Sequence, residues 1–168
     1  MALFEPIFEA LNESGVRYVV VGGVAVVLHG HARLTADLDL AVDLSPASAK
    51  KAVDALVRTG LQPRAPVEAS DFADPKARAR WVEEQSMQMF TMWDPKNVMR
   101  LVDLFVENPI DFEELWAGSE LVELEGTAVR VASVPDLIRL KRMAARPQDA
   151  SDIEALEAIM EQREENDG

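Results

Sequence analysis

The stretch VVVGGVAVVLHGHARLTADLDLAVD, residues 19–43, decides how the chain reads. An apolar run stops at Gly22-Gly23, a short apolar segment follows, and a second apolar run carries Asp37, Asp39 and Asp43. Residues 17–21, rich in Tyr and Val, have the composition of a buried strand that ends at the glycine pair. Residues 24–30 are apolar and short, which suits a helix begun at the glycine turn. Side chains alternate along a strand, so in residues 37–42 Asp37, Asp39 and Ala41 share one face with Asp43, and Leu38, Leu40 and Val42 share the other. Asp37 and Asp39 then sit about 7 Å apart at the backbone. At that range each raises the other's pKa unless a cation lies between them. Magnesium, a hard ion held by one or two carboxylates together with substrate phosphates, resolves the repulsion. A solvated polar face is the other reading of the same alternation.

A third carboxylate favours the metal. In VMRLVDLFVEN, residues 98–108, Asp103 interrupts an apolar strand and has Leu101 and Phe105 on its own face. A carboxylate among such neighbours needs a partner, whether an ion, a lysine or an arginine. Asp43, at the end of its strand, is not that third ligand. The glycines supply the complementary half of a site. A helix that starts at Gly22-Gly23 presents free N–H groups and a positive dipole end to anions, and the missing Cβ atoms let a phosphate approach. The pattern is neither the dinucleotide fingerprint, whose third glycine is missing, nor a P-loop, which needs G-K-[ST].

Outward from this centre, residues 3–14 read as an amphipathic helix and residues 46–59 as a second, with Ser45 at its N-cap and Gly60 after its end. A polar stretch, residues 63–76, leads into a helix through Trp81. Residues 87–92 and 98–106 form a hairpin around Asp94-Pro95-Lys96-Asn97, and residues 110–117 a short helix. A second hairpin pairs residues 121–125 with 127–132. Ser133 caps a helix that runs to Ala145, Arg146-Pro147 breaks it, and a terminal helix starts at Asp149 or Ser151; the tail EENDG frays. The expected class is α+β, with mixed α/β order: one domain over residues 1–168, a small mixed sheet flanked by helices, and a C-terminal helical segment over residues 133–164.

Composition narrows the function. The chain has 168 residues, 48% of them apolar and 28% charged, with no cysteine and only two histidines, His29 and His31. That excludes a disulfide framework and disfavours a zinc centre. No apolar run is long enough to span a membrane, and the start, MALFEPIFEALNESG, lacks the features of a signal peptide, so a cytoplasmic protein is expected. A net charge of −13 argues against a broad nucleic-acid surface.

Together, Gly22-Gly23, the Asp37-x-Asp39 strand and the later Asp103 resemble the polymerase-β-like nucleotidyltransferase superfamily. The finer pattern GGVAVVLHGHARLTADLDL, with LKRMAARPQDASDIEAL near the C-terminus, resembles its abortive-infection (AbiEii-type) toxin branch. The resemblance implies a nucleotidyltransferase fold and enzyme. Asp37, Asp39 and Asp103 would bind two magnesium ions with a nucleoside triphosphate such as ATP or GTP, Asp103 would also assist deprotonation of the acceptor, and Gly22 and Gly23 would cradle phosphates. Lys141 would reach the triphosphate with support from Asp149, and Thr35 would order the loop before Asp37 within the substrate site. Many members have Ser where this chain has Gly23, which leaves only backbone donors at that position. The implied reaction moves a nucleoside monophosphate to a hydroxyl on a tRNA 3′ end, a protein or a small molecule, in a toxin–antitoxin setting with a cognate partner. The alternative is a non-catalytic nucleotide-binding or antitoxin-like interaction module on the same fold. The complete Asp37, Asp39, Asp103 triad favours catalysis.

Overall fold

In the computed structural model, which describes residues 1–168, the first apolar run becomes β1 (Tyr18–Val21), all four residues buried, and the chain passes without a linker into α2 (Gly22–Leu28). The helix therefore begins two residues before its expected start, and both glycines lie in its first turn. Upstream is α1 (Glu5–Glu13), whose Ile7, Phe8 and Leu11 are buried at helical spacing. Next come β2 (Asp37–Val42), α3 (Pro46–Arg58), β3 (Gln62–Pro63), a 3₁₀ turn (Ala69–Ala73), α4 (Pro75–Gln85), β4 (Met89–Asp94) and β5 (Asn97–Phe105). The chain closes with α5 (Phe112–Gly118), β6 (Glu120–Glu123), β7 (Ala128–Val131), α6 (Val134–Ala144) and α7 (Asp149–Asp167).

The seven strands form one mixed sheet in the order β3-β4-β5-β2-β1-β7-β6. The pairs β2/β5 and β1/β7 are parallel and the others antiparallel. Leu38 and Leu40 of β2, Val102 and Leu104 of β5, and Phe90 and Met92 of β4 make the covered face and are at most 1% exposed. Phe72 of the 3₁₀ turn and Trp81 of α4 close over it, their rings 5.2 and 5.3 Å from that of Phe90. The alternate residues, Asp37, Asp39, Leu101 and Asp103, are half-buried on the opposite face. The binary pattern of β2 and β5 thus puts the carboxylates on the less covered face, where Ala41 and, on β1, Val19 and Val21 are still buried.

Several details depart from expectation. The stretch 63–76 is a structured connection, in which Glu68 and Asp71 form a capping box and Phe72 is fully buried. Ser45 stands at the α3 N-cap, but its side chain makes no capping bond; its backbone N–H instead donates to Asp43 Oδ1 at 3.0 Å. Ser133 does cap α6, accepting from the Asp136 N–H at 3.2 Å. The last helix runs through the tail to Asp167, and Arg163 ties it to Glu120 of β6 at 3.2 Å. No helix is long and apolar enough to cross a membrane.

Candidate active site

Strand register assembles the site. Val21 of β1 faces Asp39 of β2, Asp39 faces Asp103 of β5, and Asp103 faces Thr91 of β4. Directly paired residues project to the same side of a sheet, so four strands deliver one row of groups. Carboxylate oxygens of Asp37, Asp39 and Asp103 lie within 4.8 Å of one another. None of the three belongs to an ion pair, although Arg33, Lys141 and Arg146 stand nearby, bound instead to Asp152 and Asp149. The Thr91 hydroxyl donates to Asp103 Oδ1 and fixes that side chain.

Burial pushes the Asp39 carboxyl up to about 7, and the charges of Asp103 and Asp37 add to the rise, while those of Arg146 and Lys141 oppose it. Burial likewise raises Asp103, against the Thr91 hydrogen bond. Three oxygen-bearing groups this close, with no protein cation among them, fit a hard divalent ion. Such an ion binds the ionised carboxylates and must displace a proton from Asp39 at neutral pH. The affinity of the protein for manganese is therefore expected to rise with pH up to and through about 7 and then level off, with proton release on binding; calorimetry in buffers of different ionisation heat measures both.

The two glycines have different reasons to be glycine. Gly22 has φ +68°, and a Cβ there would lie 2.1 Å from Asp39 Oδ2. A Cβ on Gly23 would lie 2.6 Å from Thr35 Oγ1 and 3.1 Å from Arg33 Nη2. Thr35, whose hydroxyl is 3.5 Å from the Asp37 carbonyl oxygen, so fills the space that a serine at position 23 would need. The departure from Gly-Ser and the presence of Thr35 are one packing solution.

Behind the row lies a buried charge network. Lys141 is only 5% exposed; its Nζ is 2.8 Å from Asp152 Oδ2 and 3.7 Å from Asp149 Oδ1. Asp152 also receives Arg33 at 2.8 Å, and Asp149 receives Arg146 at 3.2 Å. Lys141 is thus an internal cation, beside Asp149 as expected and closer still to Asp152, which the sequence did not connect with it. The missed signal was RPQDASD, which places Asp149 and Asp152 three residues apart on one face of α7. Removing one partner of a buried pair leaves an uncompensated charge, so Asp152→Ala is expected to cost about 3 kcal/mol in a denaturant melt. His29 stands outside the row, its Nε2 donating to the Ala132 carbonyl at 2.8 Å. Asp43 also stands apart and pairs with Arg17 at 3.3 Å.

No protein-family model and no curated protein matches the sequence. Among solved structures, the chain is similar to the lincosamide antibiotic adenylyltransferase LnuA with lincomycin bound, at 14% identity and a TM-score of 0.61, covering 94% of this chain and 96% of that one. It is similar to the antibiotic-resistance factor ANT(2″)-Ia in complex with adenylyl-2″-tobramycin, at 14% identity and a TM-score of 0.56, over 92% of this chain and 86% of that one. An antigenic nucleotidyltransferase-like protein from Paracoccidioides brasiliensis shares 14% identity at a TM-score of 0.58, over 93% of this chain and 72% of that one. The fold is that of the nucleotidyltransferases.

Proposed function

We propose that the chain is a magnesium-dependent nucleotidyltransferase that moves a nucleoside monophosphate from a triphosphate such as ATP or GTP to a hydroxyl group, in the cytoplasm. The observation that carries this reading is the convergence of Asp37, Asp39 and Asp103, unpaired with any protein cation, against Gly22 at the start of α2. Asp37 and Asp39 would hold the ions together with Asp103; bound magnesium would orient the triphosphate and offset charge on the leaving pyrophosphate. Gly22 and Gly23 offer backbone N–H donors to the phosphates, and Thr35 adds a hydroxyl beside them. Lys141, Arg33 and Arg146 supply positive charge on the same side, tempered by Asp149 and Asp152. Asp103 stands on the other side of Asp39 from the glycines and would face the acceptor. The acceptor oxygen attacks the α-phosphorus, its proton passes to the Asp103 carboxylate, and the bond to pyrophosphate breaks with both electrons leaving on oxygen. Burial holds the Asp103 carboxyl above the ordinary aspartate range, which makes it a stronger proton acceptor than an exposed carboxylate.

The motif resemblance favours the abortive-infection branch, with a tRNA end or a protein as acceptor and a cognate toxin or antitoxin as partner. The lincomycin and tobramycin ligands of the structural neighbours favour a small molecule. The net charge of −13 weighs on the same side. The test offers each α-labelled nucleoside triphosphate, with magnesium, to the protein together with total RNA, cell protein or small metabolites. Label transfer that is lost without magnesium is expected. Triphosphate binding with no transfer to anything would favour the non-catalytic nucleotide-binding module.

A further inference from the structure

The row across the sheet does not end at Thr91. β3 pairs with β4 antiparallel, Pro63 facing Met92, and the ladder continues one step beyond the strand: the Arg64 N–H donates to the Thr91 carbonyl at 2.9 Å. That step puts Arg64 opposite Thr91, on the face that Thr91 shares with Asp103. The guanidinium is close enough for its charge to act on the Asp103 carboxyl. Arg64 is exposed and belongs to no ion pair. In this it differs from the other cations around the site, since Arg33, Lys141, Arg146 and Arg100 are each bound to a carboxylate within 3.2 Å. Reading along the row from Asp39, against which Gly22 packs, gives Asp103, Thr91 and Arg64. The phosphate-binding end and the free arginine are at opposite ends, with the reacting centre between them.

Resting on the nucleotidyl-transfer reading, we propose that Arg64 is the acceptor-recognition residue and that the acceptor is a small hydroxyl compound bearing an anionic group, a phosphate monoester or a carboxylate. A guanidinium with all its side-chain donors free is built for two-pronged binding of either group. In an acidic protein, one such cation next to the base is a selective device, because it attracts an anion where the rest of the surface repels it. A nucleic-acid acceptor would need several free cations along its backbone, whereas Arg33, Arg100, Lys141 and Arg146 are already bound to carboxylates.

The experiment separates cell extract by ion exchange into anionic, neutral and cationic small-molecule pools plus an RNA pool, and offers each with α-labelled triphosphate and magnesium. Triphosphate binding is measured in parallel by calorimetry. The expected result is label transfer to the anionic small-molecule pool. Arg64→Glu should need at least about tenfold more of that pool for the same rate while its triphosphate affinity stays within twofold, and Arg64→Lys should fall between. Phosphatase treatment of the pool abolishes transfer for a phosphate monoester and spares a carboxylate. Transfer to neutral, cationic or RNA acceptors, transfer to none, or an Arg64→Glu protein that loses triphosphate affinity instead would overturn the assignment. Failure of the unaltered protein to bind triphosphate at all would overturn the underlying nucleotidyl-transfer reading as well.

Discussion

An Asp39→Asn protein is expected to melt at a higher temperature than the parent in metal-free buffer at pH 8, and to lose magnesium-dependent transfer by about 10³-fold. The two effects share one cause. In the unfolded chain an aspartate titrates near ~3.9, whereas burial beside Asp103 and Asp37 moves Asp39 to about 7. The folded state therefore holds a proton that the unfolded state releases between those values. The stability attached to that proton is complete below about pH 4 and is lost as pH rises through about 7. At pH 8 the parent carries an ionised carboxylate in a crowded acidic pocket, and asparagine removes that charge while keeping the shape. At pH 4 Asp39 is protonated and the two proteins should melt alike. Added magnesium should raise the melting temperature of the parent at pH 8 and leave that of the variant almost unchanged. The transfer loss reflects a missing metal ligand, for which several kcal/mol of transition-state stabilisation is the usual scale. Thermal melts at both pH values, with and without magnesium, and single-turnover label transfer check each part. A variant that melts below its parent at pH 8 would contradict the electrostatic account of the triad.

Gly22→Ala should combine a stability loss of about 2–4 kcal/mol with a transfer rate at least about 100-fold below the parent. Two costs add. An alanine at φ +68° sits in the left-handed region, at about 1 kcal/mol. Its Cβ would also come 2.1 Å from Asp39 Oδ2, so either the carboxylate or the start of α2 must move. Movement of Asp39 breaks the cluster with Asp37 and Asp103, which is why activity falls further than stability alone explains. Gly15, which has φ +67° but open space where its Cβ would be, is the matched control: Gly15→Ala carries only the conformational cost and leaves transfer unchanged. Urea melts and transfer rates of the two variants distinguish the steric effect from a general glycine effect.

The contrast between these positions also marks what could be read before the structure. Asp37, Asp39 and Asp103 were legible because a strand writes its faces into a two-residue period, and a carboxylate within that period stands out. The helix start at Gly22-Gly23 was legible as a change of period. What the glycines touch was not, since the contact of Gly22 with Asp39 depends on the antiparallel register of β1 on β2. Asp152 escaped for a related reason: its partners Arg33 and Lys141 come from a loop and a different helix, and acidic residues in a helical first turn look like caps. Arg64 lies where the sequence was least readable, after a two-residue strand too short to establish a period. The unused Ser45 cap shows the limit of local rules, since a serine at the expected N-cap position makes no capping bond.

On this reading the three aspartates and the glycine turn are two halves of one metal–triphosphate site. Titration of manganese into the protein, followed by electron paramagnetic resonance with and without a non-hydrolysable triphosphate, tests it most directly. Weak manganese binding by the protein alone is expected, with two ions per chain at much higher affinity once the triphosphate is present, and loss of both in Asp37→Asn and Asp39→Asn. Manganese binding that is indifferent to the triphosphate, or that survives both substitutions, would contradict it.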